Sequence, residues 1–347
     1  MFSGLKLFQN FKEFQYIIVT FMACQPLLNN SSSVCRRMKN VIGDKDKRND
    51  VVFCTNPATK PKQHIILFGG DVQDYKENMN LYNPQYSTWD VESSAQIIHA
   101  RFPDSAVFVV KPAQMLLNTF SIYKNFLNFD EDGRPEFNVD FGALIHLAKL
   151  YTNVVKQIEM SVSDGGFGKN SQENSASGDY LVKSEATVEK GNDDSICDRN
   201  SDISEKCQLQ KSTADLSVPV RLMGFSKGCV VINQMVFELK AFKDDKDVRP
   251  FLDKVMAIYW LDGGHIGTNN AYITDYELLG DVVALNKELH VHVTPYQILD
   301  PNRPWIGIEE TEFVQRLKNL KGNIHEFKHF MNMKPSIKNH FKVITQV

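Results

Sequence analysis

The chain has 347 residues, of which 42% are hydrophobic and 23% charged, with a formal net charge of -3. Length and composition fit one large α/β domain with a sizeable core, and the slight acidic excess excludes a nucleic-acid binder that works through a basic stripe. The six cysteines (Cys24, Cys35, Cys54, Cys197, Cys207 and Cys229) form no C-x-x-C pair, so neither a zinc site nor a disulfide framework is expected.

Residues 1–50 read as a targeting segment and linker, outside the fold. Phe2, Leu5, Leu7, Phe8, Phe11 and Phe14 alternate with Lys6 and Lys12 in an amphipathic pattern in which Glu13 is the sole acid. The apolar run that follows, from Tyr16 to Leu28, is interrupted by Thr20, Gln25 and Pro26; at about 13 residues it is too short for a stable membrane span. Arg36, Arg37 and Lys39 extend the basic character, which favours a mitochondrial presequence over the alternative, a secretory signal.

From residue 51 to 347, short apolar runs alternate with helix-length stretches, the pattern of a mostly parallel sheet with helices on both faces. Strands are predicted at 51–54, 64–68, 106–110, 218–223, 255–261, 289–294 and 324–330, and helices at 90–101, 141–160, 227–240, 276–288 and 309–319. Within 141–160, Leu144, Leu147, Ala148, Tyr151, Val154, Val155 and Ile158 recur at helical spacing and give that helix a core face. Residues 161–217 break the scheme. They are rich in Ser, Asn, Asp, Glu and Lys without apolar periodicity, and cannot bury enough surface to offset their ordering entropy. A disordered surface insertion is expected there, either a tolerated loop expansion or a docking element for a protein partner.

After the insertion comes Gly224-Phe225-Ser226-Lys227-Gly228, a G-x-S-x-G pentapeptide between a strand and a helix. In that setting the serine sits on a tight bend that exposes its hydroxyl, and the flanking glycines allow close packing. Ser226 is the candidate nucleophile, and the backbone N–H of Lys227 a candidate oxyanion donor. The Lys227 side chain has two placements, toward an anionic substrate group or into solvent, of which solvent is the simpler. Phe68-Gly69-Gly70-Asp71 at an earlier strand end offers the second oxyanion donor, the N–H of Gly70 or of Asp71.

A nucleophilic serine also needs a base and a carboxylate to orient it. Asp300, in the loop after strand 289–294, is the first choice for the acid, and Asp262, closing strand 255–261, is the rival. For the base, His340 stands on a loop beyond the last strand and can swing over the nucleophile. His329, late in that strand, and His265, in the glycine-rich loop after Asp262, are the alternatives; His265 also suits a substrate contact.

Five stretches together are similar to one animal family, known in humans by a chromosome 2 open-reading-frame designation. They are Phe68-Gly69-Gly70-Asp71-Val72-Gln73, Gly224 through Val231, Tyr259 through His265, His292-Val293-Thr294-Pro295-Tyr296-Gln297 and Pro335 through Phe341. The resemblance covers residues 60–347 apart from the insertion. It implies the α/β-hydrolase fold, a serine-hydrolase-like site at Ser226 and a mitochondrial address. It implies no particular substrate. The expected reaction is hydrolysis or transfer of a small acyl group through an acyl-serine, with no metal or organic cofactor. The competing reading is an inactive scaffold of the same fold that binds a protein partner, and a weaker third is a lipid- or acyl-carrier-binding module without turnover.

Overall fold

In the computed structural model, residues 33–163, 215–267 and 269–347 are described. Most of the expected insertion and most of the expected targeting segment lie outside these residues. In chain order the elements are β1 (Val34–Ile42), β2 (Arg48–Thr55), β3 (Gln63–Phe68), α1 (Lys76–Tyr82), α2 (Val91–Arg101) and β4 (Ser105–Val110). Two small hairpins follow, β5 (Gln114–Leu116) with β6 (Phe120–Ile122) and β7 (Asn128–Phe129) with β8 (Pro135–Glu136). Then come α3 (Ala143–Ser163), β9 (Val220–Phe225), α4 (Cys229–Phe242), α5 (Arg249–Leu252), β10 (Val255–Leu261), α6 (Tyr276–Ala284) and β11 (Glu288–Val293). The chain closes with α7 (Pro295–Ile298), α8 (Trp305–Asn319), β12 (Asn323–Lys328) and α9 (Ile337–Lys342).

Eight strands form one sheet in the order β1-β2-β4-β3-β9-β10-β11-β12. β2 runs antiparallel to both of its neighbours and every other pairing is parallel. β3, β4, β9 and β10 are almost wholly buried, which explains their near-continuous apolar sequences. One face packs on α3, α4, α6 and α8 through residues such as Leu147, Val231, Leu279 and Phe313. The other packs on α2 and the C-terminal segment through Val91, Ala95, Ile98, Phe341 and Ile344.

Polar side chains fix the helix ends. Asp90 accepts from Ser93 N (2.7 Å) to start α2, and Asp275 and Thr294 act likewise for α6 and α7. The α3 terminus is capped from a distance: the buried Glu238 carboxylate of α4 accepts from the N–H groups of Gly142, Ala143 and Leu144 at 2.9–3.0 Å.

The fold starts before residue 51. β1 and the beginning of β2 lie inside the stretch read above as targeting segment and linker, which corrects that boundary. β1 is an edge strand, so only Met38 and Val41 are buried while most of its remaining side chains are partly or fully exposed. A register shift between those two residues, with Asn40 at φ 54°, breaks the alternation further. Such a strand carries little apolar signal. Elsewhere the differences are small. The strand expected at 218–223 runs two residues later, and α6 ends at Ala284, short of the expected 288. β12 stops at Lys328, whereas 330 was expected.

Candidate active site

Four neighbouring strands deliver the site from one edge of the sheet. Phe68 lies beside Gly224, Leu261 beside Phe225, and Leu261 beside His292 on the other flank. The residues that follow these positions, Gly69 to Asp71, Ser226, Asp262 and Thr294, therefore leave the C-terminal ends of adjacent parallel strands together. Clefts in open α/β sheets form at such ends.

Ser226 breaks from β9 into the left-handed region, at φ 52°, and a single 3-10 turn from Ser226 to Gly228 leads into α4. An L-residue there costs about 1–2 kcal/mol. The pentapeptide's glycines make the bend feasible. A Cβ on Gly224 would come within 2.8 Å of Cys229 Cα, and one on Gly228 within 2.1 Å of Phe68 O. Cys229 is buried behind the bend, its thiol donating to Gly224 O at 3.0 Å.

The imidazole brought to this bend is that of His340, on α9. Its ring centroid lies 4.7 Å from that of Phe225, the residue before the serine, and 4.8 Å from that of Tyr296. Nδ1 donates to Asp262 Oδ2 at 2.7 Å. Asp262 is fully buried, and Thr294 satisfies the rest of its carboxylate, with N–H to Oδ1 at 2.7 Å and Oγ1–H to Oδ2 at 2.6 Å. Asp262 is itself left-handed, φ 48°, and its N–H donates to His292 O. A carboxylate held by three donors has no freedom to leave the imidazole. His340 Nε2 makes no hydrogen bond among the described residues, and none joins it to Ser226 Oγ. Contacts of this kind are commonly loose before substrate binds.

The candidate carboxylate that meets His340 is thus Asp262, the second-ranked one. Asp300, the first choice, does not meet a histidine: its carboxylate accepts from Asn302 N (2.9 Å) and Arg303 Nε (2.8 Å) and shapes the turn before α8. The cause is local. Thr294 caps α7 directly after β11, and that helix carries Asp300 past the site. His329 does not reach the site either; its N–H pairs with Val293 O and its Nε2 meets His292 Nδ1 at 3.0 Å. His265 is buried in the loop after Asp262, with Nδ1 donating to Ile266 O at 2.6 Å and Nε2 without a partner among the described residues. Burial lowers its basicity, against the backbone carbonyl of Ile266.

Of the two oxyanion candidates in the first loop, Gly70 is already engaged, since its N–H donates to Gln73 Oε1 at 2.7 Å. A Cβ on Gly70 would fall 3.2 Å from Ser226 Oγ, so this glycine keeps the space in front of the hydroxyl open. Asp71 N–H has no partner among the described residues. The Lys227 side chain corrects the solvent placement expected for it. It is buried, with Nζ donating to Gly133 O at 3.1 Å and lying 5.4 Å from the Phe129 ring. Burial pulls the Lys227 ammonium below its ordinary range, against the pull of Asp71 and Asp130. Burial likewise pushes the Asp71 carboxyl up, opposed chiefly by Lys227.

Residues 111–142, between β4 and α3, carry a part of the site without any local sequence signal. Ser121 Oγ donates to Gly70 O (2.6 Å), Ser121 N to Asp71 Oδ1 (2.7 Å) and Tyr123 OH to Gly69 O (2.9 Å). Together with Gly133 and Lys227, these contacts bolt the two hairpins to the loop beside the serine. Among the described residues no group of three or more His, Cys, Asp and Glu side chains is placed to hold a metal ion. No helix among them is long and apolar enough to cross a membrane.

A sheet ordered 1-2-4-3-5-6-7-8 by its own strands, with the second antiparallel and a left-handed serine after the fifth, defines an α/β-hydrolase fold with a hydrolase-like scaffold. Within that class the chain belongs to the C2orf69 family, whose match spans residues 37–323. Mitochondrial protein C2orf69 of Homo sapiens is 40% identical over 290 residues, covering 83% of this chain and 74% of its own length. The Mus musculus homologue is 35% identical over 320 residues, covering 86% of this chain and 83% of its own. These relatives place the protein in mitochondria. Among solved structures, esterase Est22 overlays with a TM-score of 0.43 at 11% identity, covering 90% of this chain and 76% of its own. An arylesterase overlays with a TM-score of 0.37 at 10% identity, covering 90% and 82%.

Proposed function

We propose that the protein is a mitochondrial serine hydrolase that cleaves an ester or thioester through an acyl-enzyme on Ser226. One observation supports this reading: a left-handed serine on a strand-to-helix bend directly follows Phe225, whose ring packs on an imidazole whose Nδ1 is fixed by a buried carboxylate. In the proposed sequence, His340 Nε2 takes the Ser226 Oγ proton as Oγ attacks the acyl carbon. The N–H groups of Lys227 and Asp71 stabilise the oxyanion, the Gly70 N–H being committed to Gln73. Protonated His340 then returns its proton to the leaving group. Asp262 stabilises the transient imidazolium and holds Nδ1 protonated in the resting enzyme. A water molecule repeats the sequence on the acyl carbon and restores the serine. The Lys227 ammonium has a structural part in this scheme, tying the two hairpins to the start of α4.

A fluorophosphonate probe tests the reading. It should label the folded wild-type chain at Ser226 and leave folded Ser226→Ala unlabelled. Folded wild-type protein that resists the probe at every concentration would overturn it and favour the partner-binding scaffold.

A further inference from the structure

Away from the serine, two thiols face one another across the sheet edge. Cys35 on β1 and Cys54 on β2 are directly opposed in the antiparallel register. Opposed antiparallel residues have Cα atoms about 4.5–5.5 Å apart, inside the roughly 4.4–6.8 Å that a disulfide spans. Both side chains point to the face covered by α2, where Cys54 is fully buried and Cys35 packs at the margin of the same cluster. Cys35 Sγ lies 3.9 Å from Glu92 O in the first turn of α2. Both are free cysteines. Side-by-side free thiols on an edge strand and its inner neighbour, one reachable and one sheltered, are the arrangement of a two-electron couple.

We propose that Cys35 and Cys54 form a reversible redox pair, closed to a cross-strand disulfide by a low-molecular-weight disulfide such as glutathione disulfide. The sulfur of half-buried Cys35 gives up its proton as it attacks one sulfur of glutathione disulfide, and one molecule of glutathione leaves. Cys54 thiolate then attacks the Cys35 sulfur of the mixed disulfide and expels the second. Two S–H bonds are lost and one S–S bond forms in the protein. The reagent's S–S bond breaks, and the two protons end on two molecules of glutathione, which carry away the two electrons. The new bond closes a loop of about 20 residues and fixes β1, otherwise held only along one edge, to the sheet.

The test uses the full-length chain equilibrated in glutathione buffers of graded ratio, then alkylated, digested and mapped by mass spectrometry. A linked pair of peptides containing Cys35 and Cys54 should appear as the buffer becomes oxidising and vanish on reduction. Tm should rise by about 5 °C in step with it. Cys54→Ser should trap glutathione on Cys35, and Cys35→Ser should abolish both the link and the rise in Tm. Circular dichroism of the two serine variants separates lost chemistry from lost folding. Two free thiols at the most oxidising ratio, a persistent glutathione adduct on wild-type Cys35, or a link from either thiol to another cysteine would each overturn the proposal. The outcome is independent of fluorophosphonate labelling at Ser226.

Discussion

Asp262→Asn replaces one oxygen with an amide nitrogen at the centre of the buried acid–base pair. Oδ1 can still accept from Thr294 N, and the threonine hydroxyl can turn to accept from the new amide, so most of the geometry survives. What changes is the imidazole. An amide N–H now points at His340 Nδ1, which must become an acceptor, and the ring proton moves to Nε2. A histidine protonated on Nε2 cannot take the Ser226 proton. Loss of the correct tautomer lowers acyl-transfer rates by about 10³–10⁴, or about 4–5.5 kcal/mol of transition-state stabilisation. The lost charge-assisted hydrogen bonds cost a further ~1–3 kcal/mol of stability. Asp300→Asn is the matched control. It removes only a partly exposed pair with Arg303, worth up to about 1 kcal/mol, and should leave the rate within about a factor of two. Rates of fluorophosphonate labelling, measured on protein shown to be folded, compare the two. Wild-type labelling of Asp262→Asn, or an equal loss in Asp300→Asn, would refute the assignment of the acid.

Burial depresses both His64 and His146 to about 4. Unfolded histidines bind a proton near 6.5, so between pH 6.5 and 4 the unfolded chain holds more protons and stability falls as pH falls, by up to ~1.4 kcal/mol per pH unit for each residue. His146→Gln should reduce the slope by about that amount in urea titrations between pH 6.5 and 5, and an unfolding free energy flat over that window in wild type would contradict it. Lys227→Met keeps the buried stem but removes the donor to Gly133 O, so amide exchange across residues 119–134 should quicken by about tenfold, one net hydrogen bond's worth, with the rest of the sheet unchanged. Gly228→Ala drives a methyl into Phe68 O and should lower Tm by about 5 °C or more, read by differential scanning calorimetry; a Tm within about 1 °C of wild type would mean the bend is looser than its contacts imply.

The sheet was legible because its central strands are buried on both faces and read as unbroken apolar runs. The bend was legible because packing at Gly224 and Gly228 leaves no room for any other residue. β1 was not, since an interrupted edge strand with two buried apolar side chains resembles a basic linker. The carboxylate that meets His340 was ranked second because spacing along the chain says which loop a carboxylate leaves from, and the direction it takes is set by the next cap. Thr294 starts α7 at once and sends Asp300 away, whereas Asp262 turns inward through a left-handed backbone conformation that its sequence does not announce. The contacts of Ser121, Tyr123 and Gly133 depend on how residues 111–142 fold back over the sheet edge. No local pattern encodes that.

The serine's backbone offers a test of whether the site is kept for chemistry. Ser226 holds φ 52°, a conformation glycine adopts without a Cβ penalty. Relief of the left-handed strain is worth about 1–2 kcal/mol, and glycine gives back about 0.5–1 kcal/mol through the greater freedom of its unfolded chain. Ser226→Gly should therefore exceed Ser226→Ala in stability by about 0.5–1 kcal/mol, or about 2 °C in Tm, while neither variant takes the probe. Alanine is the right reference because it removes the hydroxyl and keeps the strain. If glycine is the less stable of the two, the bend is not strained and the serine needs no functional reason to occupy it. If glycine is the more stable, a chain that needed only the fold would gain by losing its serine, and the hydroxyl is held there against the preference of the backbone.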